Sequence, residues 1–166
     1  MPSTRTHFSF ALLTTYAPVT ASVRRQTTTT CLPLMTTRQA SCSCGQLSPA
    51  VTGEPVRVSV CHCLACQRRT GSVFGAQARF PRSAVNITGT SSTWVRVGDE
   101  GSRVTFHFCP ICASTVFYAV EGYDVESVAI PVGAFADPKF PSPTFSVYEE
   151  RMHSWVRMPE GMEHMH

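Results

Sequence analysis

Residues 61–71, with the sequence CHCLACQRRTG, place three cysteines within six positions. Four more of the eight cysteines form two close pairs, Cys42-x-Cys44 and Cys109-x-x-Cys112. Cysteines this near to each other along a chain are poor disulfide partners, and their spacing is typical of metal chelation. The pattern therefore predicts a reducing compartment, in which thiolates stay available to a metal.

The two pairs together predict one structural zinc site. The two residues between Cys109 and Cys112 let a tight turn direct both sulfurs at one ion, at about 2.3 Å each. In an extended segment Cys42 and Cys44 project to the same side, so both can bind the same ion. A closed four-cysteine site is structural in kind, and this one would link segments that lie 65 residues apart.

The remaining group, Cys61, Cys63 and Cys66, supplies three ligands for a second zinc. An open fourth position is typical of a site that binds water or substrate. His62 and His107 are alternative fourth ligands, but neither lies at a spacing that requires it, and in an extended segment His62 points away from its neighbouring cysteines. Three thiolates give the site a net charge of −1, which favours a soft ligand such as a substrate thiol over hydroxide.

From residue 40 onward the sequence is typical of short strands separated by turn residues. Alternation of apolar and polar residues predicts strands at 56–60, 93–97 and 104–108. Apolar runs at 115–119 and 127–133 predict two more, and 148–156 is the best helix candidate, although it is equally compatible with a strand. We expect an all-β domain, mainly β with little helix.

The first 34 residues differ in composition from the rest. They contain three arginines and no acidic residue, and they account for the whole formal net charge of +3. They are interpreted as a disordered basic tail, as an organelle transit peptide, or, preferably, as no part of the native chain, which would then start at Met35. The expected single domain is 35–166, and the apolar stretch 8–13 is too short to span a membrane.

The sequence around these motifs resembles the glutathione-dependent formaldehyde-activating enzyme family, which has centromere protein V as a eukaryotic relative. The resemblance runs from about Ser41 to the end of the chain. It is carried by SCSCGQL (41–47), CHCLACQRRTGSVFG (61–75), GSRVTFHFCPICAST (101–115) and, more weakly, RMHSWVRMPEG (151–161).

The resemblance implies a β-tent fold with two zinc ions. The residues that match the structural zinc ligands are Cys42, Cys44, Cys109 and Cys112, and those that match the catalytic zinc ligands are Cys61, Cys63 and Cys66. It also implies carbon–sulfur lyase chemistry, in which glutathione and formaldehyde join reversibly as S-hydroxymethylglutathione. The expected partners are a small-molecule thiol, glutathione above all, and a small carbonyl compound in the cytoplasm, with no nucleic acid and no membrane.

Two details near the cysteines bear on this interpretation. Ala113 stands where the family usually has glycine, and a positive φ at that position costs alanine about 1 kcal/mol. Arg68 and Arg69 could bind the carboxylates of glutathione, although a solvated basic turn is the simpler interpretation.

Two other classes of protein compete with the lyase. A non-enzymatic zinc-stabilised module that binds a protein or a polyanion would close the three-cysteine site with a fourth protein ligand. A methionine sulfoxide reductase would need a nucleophilic cysteine beyond the zinc pairs, and no cysteine follows Cys112 in the sequence.

Overall fold

Two β-sheets and one short α-helix make up the described part of the chain, which in this computed structural model is residues 36–98, 101–122 and 126–165. The strands are β1 (Thr37–Gln39), β2 (Ser48–Thr52), β3 (Arg57–Cys61), β4 (Gly75–Pro81), β5 (Val85–Thr88), β6 (Ser92–Val97), β7 (Arg103–Phe108), β8 (Thr115–Val120), β9 (Ser127–Pro131), β10 (Phe145–Val147) and β11 (Glu163–Met165). The helix α1 is Leu64–Thr70, and 3-10 helices occupy Arg82–Ala84, Val132–Phe135 and Glu149–Arg151. The interpretation of residues 1–34 and the boundary at Met35 lie outside the described residues.

The expectation of a mainly β fold with little helix is confirmed. The segments predicted from alternation, 56–60, 93–97 and 104–108, correspond to β3, β6 and β7. Residues 148–156 form neither a long helix nor a strand, since only the 3-10 turn Glu149–Arg151 is regular there. No helix in the described part of the chain is long and apolar enough to span a membrane.

Helix α1 was not predicted, and its ends explain why it forms. It has seven residues, none of them buried, so it shows no apolar stripe. The Cys63 sulfur caps its first turn by accepting a hydrogen bond from the Cys66 N–H. Gly71 ends it in the left-handed conformation, with a φ of +65° and its N–H donating to the Gln67 carbonyl.

The large sheet has the strand order β11-β10-β3-β4-β9-β8-β7-β6, and the small sheet has the order β1-β2-β5. β10 lies parallel to both β3 and β11, and the other pairs are antiparallel. β3 therefore lies between a near neighbour in sequence, β4, and a distant one, β10.

The two faces of the large sheet have different environments. Successive residues of a strand point to opposite faces. Val58 of β3 and Ala78 of β4 belong to the hydrophobic core, which also includes Val51 of the small sheet. The adjacent residues, Ser59 and Gln77, instead line a cavity. The core therefore supports one face of the sheet and leaves the other free to form a site.

Candidate functional site: two cysteine groups and a cavity

Cys42, Cys44, Cys109 and Cys112 come together in the structure, with their sulfurs all within 4.8 Å of one another. The Cys44 sulfur lies 3.5 Å from that of Cys42 and 3.6 Å from that of Cys109. In a tetrahedral zinc site with bonds of about 2.3 Å, the sulfurs lie about 3.8 Å apart. The four-cysteine group therefore has the donor set and the spacing that suit zinc.

The turn between β7 and β8 supplies two of these four cysteines. The Ala113 N–H donates to the Cys109 carbonyl at 2.9 Å, and the Cys109 N–H donates to the Ser114 carbonyl at 3.0 Å. Ala113 has a φ of +59°, which is the left-handed conformation that favours glycine. The alanine therefore carries a conformational cost at this turn.

Hydrogen bonds to the sulfurs of the four-cysteine group also stabilise their deprotonated, negatively charged form. Gln46 Nε2 donates to the Cys109 sulfur at 3.0 Å, and the Leu47 N–H donates to the Cys42 sulfur at 3.3 Å. Hydrogen bonding with the Ser114 side chain and backbone lowers the pKa of Cys112 to about 5. Metal binding needs deprotonated thiols, so these donors favour the form of the protein that a metal requires.

Cys61, Cys63 and Cys66 form the second group, again with all sulfurs within 4.8 Å of one another. Cys61 ends β3, Cys63 caps α1, and Cys66 lies in the first turn of that helix. Cys61 is buried, whereas Cys63 and Cys66 are half-buried. The three-cysteine group therefore has one buried side and one accessible side.

The thiols of the three-cysteine group share their hydrogen bonds. Interaction with the thiols of Cys61 and Cys66 lowers the pKa of Cys63 to about 2. The same interaction with Cys63, followed by that with Cys66 and by burial, raises the pKa of Cys61. A thiolate held between two thiols is a soft anionic donor set, which fits zinc.

No fourth histidine, cysteine or acidic side chain joins this group among the residues that the structure describes. His62 is 0% exposed and packs edge-on against the Phe74 ring at 5.9 Å. His107 stacks on the Phe117 ring at 4.2 Å, with Nδ1 3.1 Å from Ser91 Oγ. Neither of the two alternative ligands belongs to the three-cysteine group.

A cavity of about 600 Å³ opens beside the three-cysteine group and includes all three cysteines in its wall. Among the described residues no acidic side chain lines it. Its arginines are Arg57, Arg68, Arg69, Arg79, Arg96 and Arg151. The cavity is therefore suited to an anionic ligand.

The sequence singled out Arg68 and Arg69, and both line the cavity from α1. It did not reveal the arginines of the sheet, because their positions depend on strand register. Arg57 and Arg79 are direct cross-strand partners in β3 and β4. This register brings both guanidinium groups to the wall of the cavity.

The cavity also contains buried polar groups. Gln77 is 5% exposed and donates from Nε2 to Ser59 Oγ at 3.0 Å. Its Oε1 accepts no hydrogen bond from any residue that the structure describes. Burial raises the pKa of Tyr118, so its phenol stays protonated at neutral pH. The wall therefore offers an acceptor as well as arginine donors.

Comparisons with known proteins place the chain in a family. A solved structure of a Rhodobacter sphaeroides protein shares 16% sequence identity with it, with a TM-score of 0.46 over 77% of this chain and 99% of that one. No curated protein matches the chain. The sequence profile for the glutathione-dependent formaldehyde-activating enzymes matches residues 37–151, which include both cysteine groups and α1. The chain therefore belongs to the glutathione-dependent formaldehyde-activating enzyme family.

Proposed function

We propose that this protein is a zinc-dependent carbon–sulfur lyase that reversibly joins a glutathione-type thiol to a small carbonyl compound. One observation carries the proposal. The three-cysteine group has an accessible side, and that side faces an arginine-lined cavity of about 600 Å³. Membership of a family named for formaldehyde activation supports the same chemistry.

The two cysteine groups would hold one zinc ion each. The structural ligands would be Cys42, Cys44, Cys109 and Cys112, and the catalytic ligands would be Cys61, Cys63 and Cys66. Zinc in a three-thiolate site supplies an open coordination position, at which a substrate thiol binds in its deprotonated form. Because free thiols are needed for this, we propose that the protein works in a reducing compartment such as the cytoplasm.

The cavity would bind the peptide part of the thiol substrate. Its volume falls in the range of about 300–1,000 Å³ that is usual for ligands of this size. The guanidinium groups of Arg68 and Arg69 suit the two carboxylates of glutathione, and Gln77 Oε1 can accept a hydrogen bond from a peptide N–H. With the peptide backbone of glutathione held in this way, the glutathione sulfur would stay close to the three-cysteine group.

Positioning is the main contribution of these residues to the reaction. Because the thiol would be held in place, its attack on the carbonyl carbon would behave like a unimolecular reaction. Because it would already be deprotonated, no separate general base is required. The sulfur forms a bond to the carbonyl carbon, and the carbonyl oxygen takes up a proton. The reverse reaction cleaves the same carbon–sulfur bond.

Zinc analysis combined with exchange NMR tests the proposal. Protein made under reducing conditions is expected to contain two zinc ions per chain and to accelerate exchange between free formaldehyde and its glutathione adduct. Cys63→Ser should abolish the acceleration, and Cys31→Ser, which changes a cysteine outside the three groups, should leave it unchanged.

Cobalt substitution tests the open position directly. A tetrahedral thiolate spectrum that changes when glutathione is added supports substrate binding at the three-cysteine group. Full metal content with an unchanged spectrum and no acceleration for any thiol would overturn the lyase and favour the non-enzymatic binding module.

A further inference from the structure

A second cavity, of about 450 Å³, adjoins the first. It is continuous with the first: among the described residues that line it, Trp94 is the one that the first cavity does not share. Cavities of about 300–1,000 Å³ usually bury ligands with many heavy atoms. Formaldehyde has two heavy atoms and is comparable to one or two water molecules, which occupy about 30 Å³ each. The second cavity is therefore far larger than formaldehyde requires.

An aromatic row forms the wall that leads from this cavity towards the cysteines. Trp94 of β6 pairs with Phe106 of β7, and their rings stack at 5.6 Å with an interplanar angle of 23°. Phe106 pairs in turn with Tyr118 of β8, at 5.1 Å between ring centroids. Trp94 is 54% exposed, whereas Tyr118 is 6% exposed and lines the first cavity together with the cysteines. The outer end of the row thus presents an indole face to a ligand.

Positive charge surrounds the same row. The Arg69 guanidinium lies 5.1 Å from the Phe106 ring centroid and 5.5 Å from that of Tyr118, which holds it over the row. Its buried Nε has no hydrogen-bond partner among the described residues. Arg96 lies two positions after Trp94 and lines the same cavity, as does Arg68 of α1. An aromatic surface beside several guanidinium groups suits a flat ligand that carries a carboxylate.

We propose that the carbonyl substrate is an aldehyde with an aromatic ring and a carboxylate, rather than formaldehyde alone. The ring lies on Trp94, the carboxylate faces Arg96, and the aldehyde carbon points towards Cys66. This inference rests on the proposed function and specifies its second substrate. Trp94 and Arg96 are then the residues that determine specificity.

The reaction with such an aldehyde balances without a redox partner. The thiol loses its proton, its sulfur forms the new bond to the carbonyl carbon, and the π electrons of the carbonyl move to the oxygen. The oxygen takes up one proton, so the product is a hemithioacetal. Cleavage of the same bond returns the thiol and the aldehyde.

Binding can be measured separately from catalysis with an unreactive probe. The sequence contains two tryptophans, so Trp155→Phe leaves Trp94 as the only fluorophore of its kind. In zinc-loaded Trp155→Phe protein, 4-(hydroxymethyl)benzoate is expected to quench fluorescence saturably. It should bind at least about tenfold more tightly than benzyl alcohol, the effect of one charge-assisted hydrogen bond.

Variants then locate the site by calorimetric titration of the same probe. Trp94→Ala should weaken binding about tenfold or more, and Arg96→Gln should remove the preference for the carboxylated probe. Trp155→Ala and Arg103→Gln are the controls, because neither residue lines either cavity, and both should bind as the wild type does. If Trp94→Ala fails to fold, Arg96→Gln carries the test.

Exchange NMR of the wild type with 4-carboxybenzaldehyde, benzaldehyde and formaldehyde separates this inference from the proposed function. The carboxylated aldehyde is expected to give the largest acceleration, and Trp94→Ala should reduce its advantage over formaldehyde. Acceleration with formaldehyde but with no advantage for the carboxylated aldehyde would overturn the inference and leave the lyase intact. Saturable probe binding with no acceleration for any aldehyde would overturn the lyase itself.

Discussion

Ala113 carries a cost that a single substitution can measure. Its φ of +59° brings the methyl group close to the backbone, whereas glycine has no methyl group and makes no such contact. We expect Ala113→Gly to raise the free energy of unfolding of the zinc-loaded protein by about 1 kcal/mol. Denaturant unfolding under reducing conditions measures the change.

A matched control separates this effect from the general effect of glycine. Ala119 is exposed in β8 and lies in a strand rather than in a left-handed turn. Ala119→Gly should lower the free energy of unfolding by about 0.5–1 kcal/mol, because glycine weakens a strand. Two changes of the same sign would contradict the account of Ala113.

Cys63 should be a far more acidic thiol than Cys44 in the metal-free protein. Its pKa is lowered to about 2, so it is a thiolate at pH 5, whereas an ordinary thiol with a pKa of about 8.5 is protonated there. After chelation of the metal, brief treatment with iodoacetamide at pH 5 is expected to alkylate Cys63, and mass spectrometry of peptides would locate the label.

Cys44 provides the internal comparison for that experiment. Although the Gln46 N–H lowers its pKa, the neighbouring thiols of Cys42, Cys109 and Cys112 raise it to about 12. Cys44 should therefore stay unlabelled at pH 5 and begin to react only in alkaline solution. Equal labelling of Cys44 and Cys63 at pH 5 would contradict the hydrogen-bond arrangement of the three-cysteine group.

At the scale of elements, the two cysteine groups differ in what they join. The four-cysteine group connects the loop before β2 to the β7–β8 turn, and Cys109 is buried in the core. The three-cysteine group lies within β3 and the start of α1. We expect Cys109→Ser to unfold or aggregate the protein, because it removes a link between distant segments. Cys63→Ser should keep the fold and lose thiol-dependent activity.

Thermal melts followed by circular dichroism would compare the two variants under reducing conditions. A large fall in melting temperature for Cys109→Ser and a small one for Cys63→Ser is the expected order. The reverse order would show that the structural and catalytic assignments of the two groups must be exchanged.

The features that the sequence predicted correctly are those whose pattern lies within a few neighbouring residues. Cysteines two or three positions apart, as in Cys109-x-x-Cys112, can meet at one ion whatever the rest of the fold does. Alternation also predicted β6 and β7 without tertiary information. Helix α1 could not be predicted in this way, since a seven-residue helix with no buried side chain has no apolar stripe.

The residues that line the cavity could not be predicted from the sequence, for a different reason. Arg57, Arg79 and Arg96 come from β3, β4 and β6 and line one cavity, although β9, β8 and β7 lie between β4 and β6 in the sheet. A shift of register by one residue would turn each of them to the opposite face. The place of Trp94 beside the second cavity likewise depends on strand register, through its pairing with Phe106.

At the scale of the whole molecule, the two zinc ions should leave at different rates. One group offers four protein sulfurs, whereas the other offers three, at the wall of a cavity. With a chromogenic chelator in excess, zinc release is expected in two phases of equal amplitude, because a chelator can bind at the open fourth position of the three-cysteine group before any protein ligand leaves.

The variant Cys63→Ser identifies the phases. It should remove the fast phase and leave the slow one, which belongs to the four-cysteine group. Loss of the slow phase instead, or a single phase of one zinc ion per chain in the wild type, would contradict the assignment of two sites.

The spacing between the paired cysteines has a consequence for biosynthesis. Cys44 leaves the ribosome 65 residues before Cys109, and β10 follows the strand it pairs with, β3, by 86 residues. At about 5–20 residues per second, roughly 3–13 s pass before the four-cysteine group can close. The three-cysteine group is complete much earlier, since it spans only residues 61–66. During translation the nascent chain therefore holds unpartnered thiols for seconds, and its yield should depend on zinc supply and on the reducing power of the cell at that moment.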